Sequence, residues 1–231
     1  FEKKPVRLEP TLVTETKDSY FAELRKAIIN ILDCGSAHII IFEDEKRANE
    51  FREYLRGHRP PHAKYTHPEV LSTHLPMRKR DALIARATER NRITLITAGF
   101  GRGTDFKYHD PGLDDLGGVH LTQAYYPFMP AEEYQILGRT ARQGSPGSAR
   151  KILLESDLAA RGLWASDCPE DPRGLDAYLK TKLNENLGAQ IESMKAYRDS
   201  NRRAQRRSSR MLMLQRRGEF DEAIKILVGL Q

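Results

Sequence analysis

An α/β fold, with a parallel sheet and a helical C-terminal extension, is what this sequence predicts, and three observations predict it. Two short runs, His38 to Phe42 and Ile93 to Ile96, are almost wholly apolar. Such runs read as strands buried on both faces, the mark of a parallel sheet. Between the runs lie segments with apolar residues at helical spacing, so strand and helix alternate as βαβ units require. After about Asp167 the alternation stops. Leu175, Leu179, Leu183, Leu187, Ile191 and Met194 then follow three or four residues apart, as one stripe of a long helix does.

Thr11 to Thr14 reads as a short β-branched strand, and Asp18 as the N-cap of a helix over Tyr20 to Leu32 with Phe21, Leu24, Ile28 and Leu32 on its apolar face. Cys34-Gly35-Ser36 ends it. After the strand His38 to Phe42, Asp44 to Leu55 forms a helix with Ala48, Phe51 and Leu55 inward. Gly57 to Pro61 is a break. Pro76 to Thr88 is a further helix, Ile93 to Ile96 the next strand, Gly118 to Leu121 another, and Ala149 to Leu154 the last. Pro130 to Thr140 is a helix opened by proline. Pro169, Asp171, Pro172 and Gly174 read as a linker, and Phe220 to Leu227 as a final amphipathic helix. Domain boundaries follow at 1–166 and 167–231.

Composition excludes several classes. Nothing approaches the ~18 consecutive apolar residues of a membrane span, and the start, at Phe1, has no signal-like pattern. The chain reads as an excerpt of a longer protein. Its two cysteines, Cys34 and Cys168, are too few for a disulfide framework, so a reducing, cytoplasmic setting is expected, in solution or peripheral to a membrane. His58, His62 and His67 cluster without a cysteine or acidic partner in step, and no metal site is expected. The net charge of +6 is unevenly spread, with much of the basic excess between Lys195 and Arg217. That stretch is either a solvated helix, packed on an acidic neighbour, or a contact for nucleic acid or an anionic membrane.

In parallel α/β sheets ligands bind beyond the carboxyl ends of the strands, which directs attention to two segments. The first runs from Thr97 to Phe106 and holds Gly99, Gly101 and Gly103 at alternate positions. Such a loop lets backbone N–H groups approach an anion, and Asp105 offers acceptors for a ribose hydroxyl. It is no dinucleotide fingerprint, because G-x-G-x-x-G is absent and no helix pattern opens at once. The second runs from Tyr134 to Gly144. Arg139 and Arg142, three apart, share a helix face and repel unless an anion lies between them.

The two segments together resemble motifs V and VI of superfamily 2 helicases, and more closely those of SecA, the preprotein translocase ATPase. Gly101-Arg102-Gly103-Thr104-Asp105 matches its G-R-G-T-D, and Gly117-Gly118-Val119-His120 its G-G-L-H. Gly138-Arg139-x-x-Arg142-Gln143-Gly144-x-Pro146-Gly147-Ser148-x-Arg150 matches its G-R-x-x-R-Q-G-x-P-G-S-x-R. The likeness covers roughly residues 8 to 160. Where SecA is rich in His, Glu and Arg, this chain has Ala124-Tyr125-Tyr126-Pro127-Phe128-Met129-Pro130, so the resemblance is to a divergent relative.

The resemblance implies a RecA-like second motor domain, with a scaffold-like helix after it. It implies that Asp105 contacts the nucleotide ribose beside Gly103, with Gly101 and Thr104 in the same loop. Arg139 and Arg142 would reach the γ-phosphate, Gln135 would stand at the start of motif VI, and Arg102 would brace the interface between motor halves. No G-x-x-x-x-G-K-[ST] occurs, and Asp44-Glu45-Lys46-Arg47 is not a Mg²⁺-binding D-E-x-D box. ATP with Mg²⁺ is therefore expected only together with a P-loop domain, the first motor domain of the same protein, and the fragment alone should hydrolyse none. Unfolded polypeptide or nucleic acid is the expected cargo. An RNA or DNA helicase half, with nucleic acid as cargo, and an inert interaction module on the same fold are the alternatives.

Overall fold

Strand β3 (Ala37–Phe42) is buried along its whole length, and the rest of the fold is arranged around it. The computed structural model describes residues 6–101, 104, 106, 110–137, 146–169 and 171–228. They fall into two compact units, Phe1–Lys182 and Leu183–Gln231.

The first unit holds a seven-stranded sheet in which every pairing is parallel. Its strands besides β3 are β1 (Arg7–Leu8), β2 (Leu12–Thr14), β4 (Val70–Leu71), β5 (Ile93–Thr97), β6 (Val119–Gln123) and β7 (Gly147–Leu154). The order is β1-β7-β6-β3-β5-β4, with β2 also pairing β7. The helices are α1 (Lys17–Cys34), α2 (Glu45–Gly57), α3 (Met77–Arg86), α4 (Ala98–Gly101), α5 (Pro130–Leu137), α6 (Glu155–Ala160) and the first turns of α7 (Pro172–Arg216).

Period-two alternation divides each central strand between two cores. Ile40 and Phe42, with Leu95 and Ile152, meet Phe21, Leu24 and Ile28 of α1 and Phe51 and Leu55 of α2. Ile39 and Ile41, with Ile96 and Leu121, meet Leu83 of α3, Ile136 of α5, Phe106 and Leu113. Each such side chain contributes about 1.5–3 kcal/mol by leaving water. The expected α/β layering, helices on both faces of a parallel sheet, is what forms.

Several local expectations are corrected. Thr16, not Asp18, caps α1: its side chain accepts from the Ser19 N–H, and the Ser19 hydroxyl answers in a capping box. Asp18 lies in the first turn, where its charge suits the helix dipole. A short helix, α4, does open directly after β5, where none was expected. The supposed linker contains a helix start: Asp171 accepts from the N–H groups of Arg173 and Gly174, at 3.1 and 2.8 Å, and Pro172 takes the first helical position. The leucine stripe also divides. Leu175 and Leu179 are buried, while Ile191 and Met194 are 52% and 72% exposed.

Near the amino ends of the strands lies a buried polar row. His120 Nδ1 is 2.6 Å from Ser148 Oγ, and His38 Nε2 is 2.8 Å from Thr122 Oγ1. The two rings meet edge to face at 5.0 Å. Burial pulls both pKa values down from the usual imidazole range, and for His38 the neighbouring His120 adds to the shift.

In the second unit α7 continues to Arg216, the chain turns at Gly218 (φ 78°), and α8 (Phe220–Val228) follows. Ala223 and Ile226 of α8 are buried. Ile226 shares a hollow with Ser200, Ala204 and Met211 of α7. Among the described residues no helix is long and apolar enough to cross a membrane.

Candidate functional site

Register sets residues near the carboxyl ends of β6, β3, β5 and β4 in one row, which β7 crosses at Lys151 before running on to Leu154. Lys151 of β7, Gln123 of β6, Ile41 of β3, Ile96 of β5 and Leu71 of β4 are successive neighbours across the sheet. The glycine-rich segment leaves this row after Thr97, and the segment toward α5 leaves it after Gln123. Strands β5 and β6 flank β3, so the two loops rise on either side of it. From β3 the chain crosses through α2 to β4 on one side, and from β6 through α5 to β7 on the other. That reversal between β3 and β6 is the switch point at which such sheets open a crevice.

A cleft of about 200 Å³ lies there, lined by Glu43 and Asp44 after β3, Ala124 and Tyr125 after β6, and Arg47 and Arg161. Arg47 Nη2 donates to both carboxylate oxygens of Asp157 of α6, at 2.9 and 3.0 Å. Arg161 donates to the carbonyls of Tyr126 and Pro127 and lies 4.2 Å over the Phe128 ring. On the other side of the same loop, buried Glu132 accepts from the Tyr125 hydroxyl at 2.7 Å and the Phe128 N–H at 3.0 Å. The stretch Tyr125 to Met129 is therefore pinned from two directions, which fixes where α5 begins. In sequence, α5 is followed directly by Gly138-Arg139.

Lys151 ties α5 to the base of α7. Its ammonium contacts Glu133 at 2.7 Å and Asp176 at 3.0 Å, and the Thr11 hydroxyl donates to the same Asp176 oxygen at 2.7 Å. Burial lowers the Lys151 pKa and the two carboxylates more than offset it, so the group stays charged. Gln123, buried in the row, has neither amide atom hydrogen-bonded among the described residues.

The sequence-predicted residues divide as follows. Gly101 ends α4, Thr104 is half-buried shortly before buried Phe106, and Gln135 is exposed on α5 beside buried Ile136. Thr104 and Gln135 share no hydrogen bond. Arg102, Gly103, Asp105, Arg139 and Arg142 lie outside the described residues. Glu132, Arg161, Lys151 and Gln123 were missed by sequence reasoning. Glu132 had a signal, an acid three residues into a helix after an aromatic loop. The others depend on contacts distant in sequence. Among the described residues no His, Cys, Asp and Glu cluster could hold a metal.

The chain is 29% identical over 173 residues to protein translocase subunit SecA 2 of Geobacillus thermodenitrificans, covering 74% of this chain and 20% of that protein. It is 39% identical over 97 residues to protein translocase subunit SecA of Desulfotalea psychrophila, covering 42% of this chain and 11% of that protein. The chain thus spans a fifth or less of these relatives. No protein-family model matches it. Among solved structures, the E. coli DEAD-box protein SrmB, bound to regulator of ribonuclease activity A, superposes with a TM-score of 0.52 at 20% identity, over 70% of this chain and 84% of that one. This likeness concerns the fold alone. Parallel sheet, switch point and structural likeness together give this chain the RecA-like fold found in helicase domains. In sequence it is similar to these SecA proteins over part of its length and diverges from them elsewhere.

Proposed function

We propose that this chain is the C-terminal half of an ATP-driven, SecA-like translocase motor, completing a nucleotide site whose P-loop belongs to the first motor domain of the same protein. The observation that supports the reading is the shared carboxyl edge at which β5 and β6, the strands that precede the two motif-bearing segments in sequence, end on either side of β3. In this reading residues 1–166 are the motor domain and residues 167–231 a scaffold-like extension.

Arg142, and Arg139 beside it, would donate paired N–H groups to the γ-phosphate and stabilise the charge that spreads over it during transfer, typically worth ~10³-fold or more in rate. Asp105 would accept from the ribose hydroxyls. Gly101, Gly103 and Thr104 would present backbone donors, and Gln135, exposed on α5, would face the same space. ATP with Mg²⁺, held from the P-loop side, would supply the phosphoryl bond to be cleaved, while the residues of this lobe would bind and orient its γ-phosphate and ribose. The residues of this lobe fit that division of labour: it offers arginines and a glycine loop but no phosphate cradle. The fragment alone is expected to turn over no ATP.

The test is ATP turnover by the full-length parent with and without an unfolded polypeptide or a single-stranded RNA. Stimulation by polypeptide supports the translocase reading, stimulation by RNA alone would replace it with a helicase, and inertness under every condition would leave an interaction module on a motor fold.

A further inference from the structure

The basic part of α7 has two distinct sides. Ser200, Ala204 and Met211 line the hollow shared with Ile226 of α8. Lys195, Arg198, Arg202, Arg206 and Arg210 recur every three or four residues on another face, and all are exposed. At 1.5 Å per residue this row is about 22 Å long, with one cation roughly every 6 Å. From 195 to 217 there are eight arginines, one lysine and a single acid, Asp199. Lys195 pairs with Glu192, and Arg198 approaches Asp199 at 3.7 Å. Arg202, Arg203, Arg206 and Arg207 have no ion-pair partner among the described residues. Like charges four apart on a helix repel, so the row gains most when a regularly spaced polyanion lies along it.

The hollow at the start of the row adds a second feature. It is mainly apolar, with Ile191, Met194 and the 70%-exposed Tyr197 beside Arg198, Asn201 and Arg202. An exposed aromatic ring with guanidinium and amide groups around it offers a base a surface to stack on and an edge to hydrogen-bond. We infer that this face of α7 binds the phosphodiester backbone of a nucleic acid, with Tyr197 supporting a base at one end. The predominance of arginine favours phosphate, which takes the planar fork two bonds at a time. A membrane is the poorer fit: insertion needs a continuous apolar face opposite the charges, whereas here Ser200, Ala204 and Arg207 border the α8 hollow.

The inference is independent of the nucleotide-site reading and is tested on this chain by itself. Fluorescence anisotropy with a labelled 20-nucleotide single-stranded RNA should show binding that weakens ~100-fold between about 50 and 200 mM salt, the fall expected when about five phosphates are engaged. Arg198→Glu/Arg202→Glu/Arg206→Glu should lose at least ~100-fold with circular dichroism unchanged, because all three side chains are exposed. The triple lysine variant should retain binding within about tenfold, and Tyr197→Ala should weaken it several-fold without changing the salt slope. No binding at low salt, a flat salt dependence, an indifferent triple glutamate variant, or equal affinity for polyglutamate or phosphatidylserine vesicles would overturn it.

Discussion

Lys151, on the last strand of the sheet, reaches Glu133 of α5 across 2.7 Å, and the same ammonium lies 3.0 Å from Asp176 near the start of α7. One cation thus joins α5 to the first turns of α7. Only 17% of its side chain is exposed, so solvent screens the contact weakly.

Replacing Lys151 by methionine leaves two carboxylates facing each other with no cation between them. Urea unfolding should report a loss of about 1–3 kcal/mol, below the value for a wholly buried pair because Asp176 is partly exposed. Lys151→Arg should recover most of it. A methionine variant as stable as the parent chain would remove this link.

Gly118 and Gly117 offer a paired test of backbone geometry. Both have positive φ, 79° and 88°. A Cβ at Gly118 would lie 1.8 Å from the Pro146 carbonyl oxygen, whereas one at Gly117 meets nothing within 4 Å. Gly117→Ala should therefore cost only the left-handed strain, about 1–2 kcal/mol. Gly118→Ala should cost about 3 kcal/mol or more, since the β6 entry must move off β7. Equal thermal midpoints for the two variants would contradict the close approach.

The His38 and His120 pair should make the fold acid-sensitive. Both pKa values are depressed by burial, so both rings are neutral in the fold and bind protons more readily when unfolded. Their stabilising contribution is full above the unfolded value of about 6.5 and is lost as pH falls below it, at up to about 1.4 kcal/mol per pH unit for each ring. Urea midpoints measured from pH 8 down to pH 5 should decline below about pH 6.5. A flat profile there would mean that the rings titrate normally.

Glu132→Ala would remove the carboxylate that accepts from the Tyr125 hydroxyl and the Phe128 N–H. A loss of about 1–3 kcal/mol in stability is expected. If the proposed nucleotide site holds, ATP turnover by the full-length parent should fall further than ATP affinity. A variant with unchanged turnover would detach that loop from the nucleotide site.

The central strands were legible because they are buried on both faces: Ile39 to Phe42 cannot be read as a half-exposed strand or a surface helix. The two-residue strands β1 and β4 were not, since pairing at a sheet edge leaves no periodic trace. Asp171-Pro172 was misread because the same two residues open helices and interrupt loops. At the site, the motif residues stood out by spacing, while Arg161 and Lys151, whose partners are 34 or 35 and 18 or 25 residues away, carried no local signal. All six stripe positions from Leu175 to Met194 lie on α7, yet sequence alone could not tell where burial stops: Leu183 is buried and Met194 stands open.

The most direct test of the arginine role is pre-steady-state ATP hydrolysis by the full-length parent and its Arg142→Ala variant, with nucleotide affinity measured in parallel. The hydrolysis step should slow ~10³-fold while affinity for ATP changes little, as expected for a group acting mainly on the transition state. An unchanged hydrolysis rate, with both proteins binding ATP equally, would contradict it.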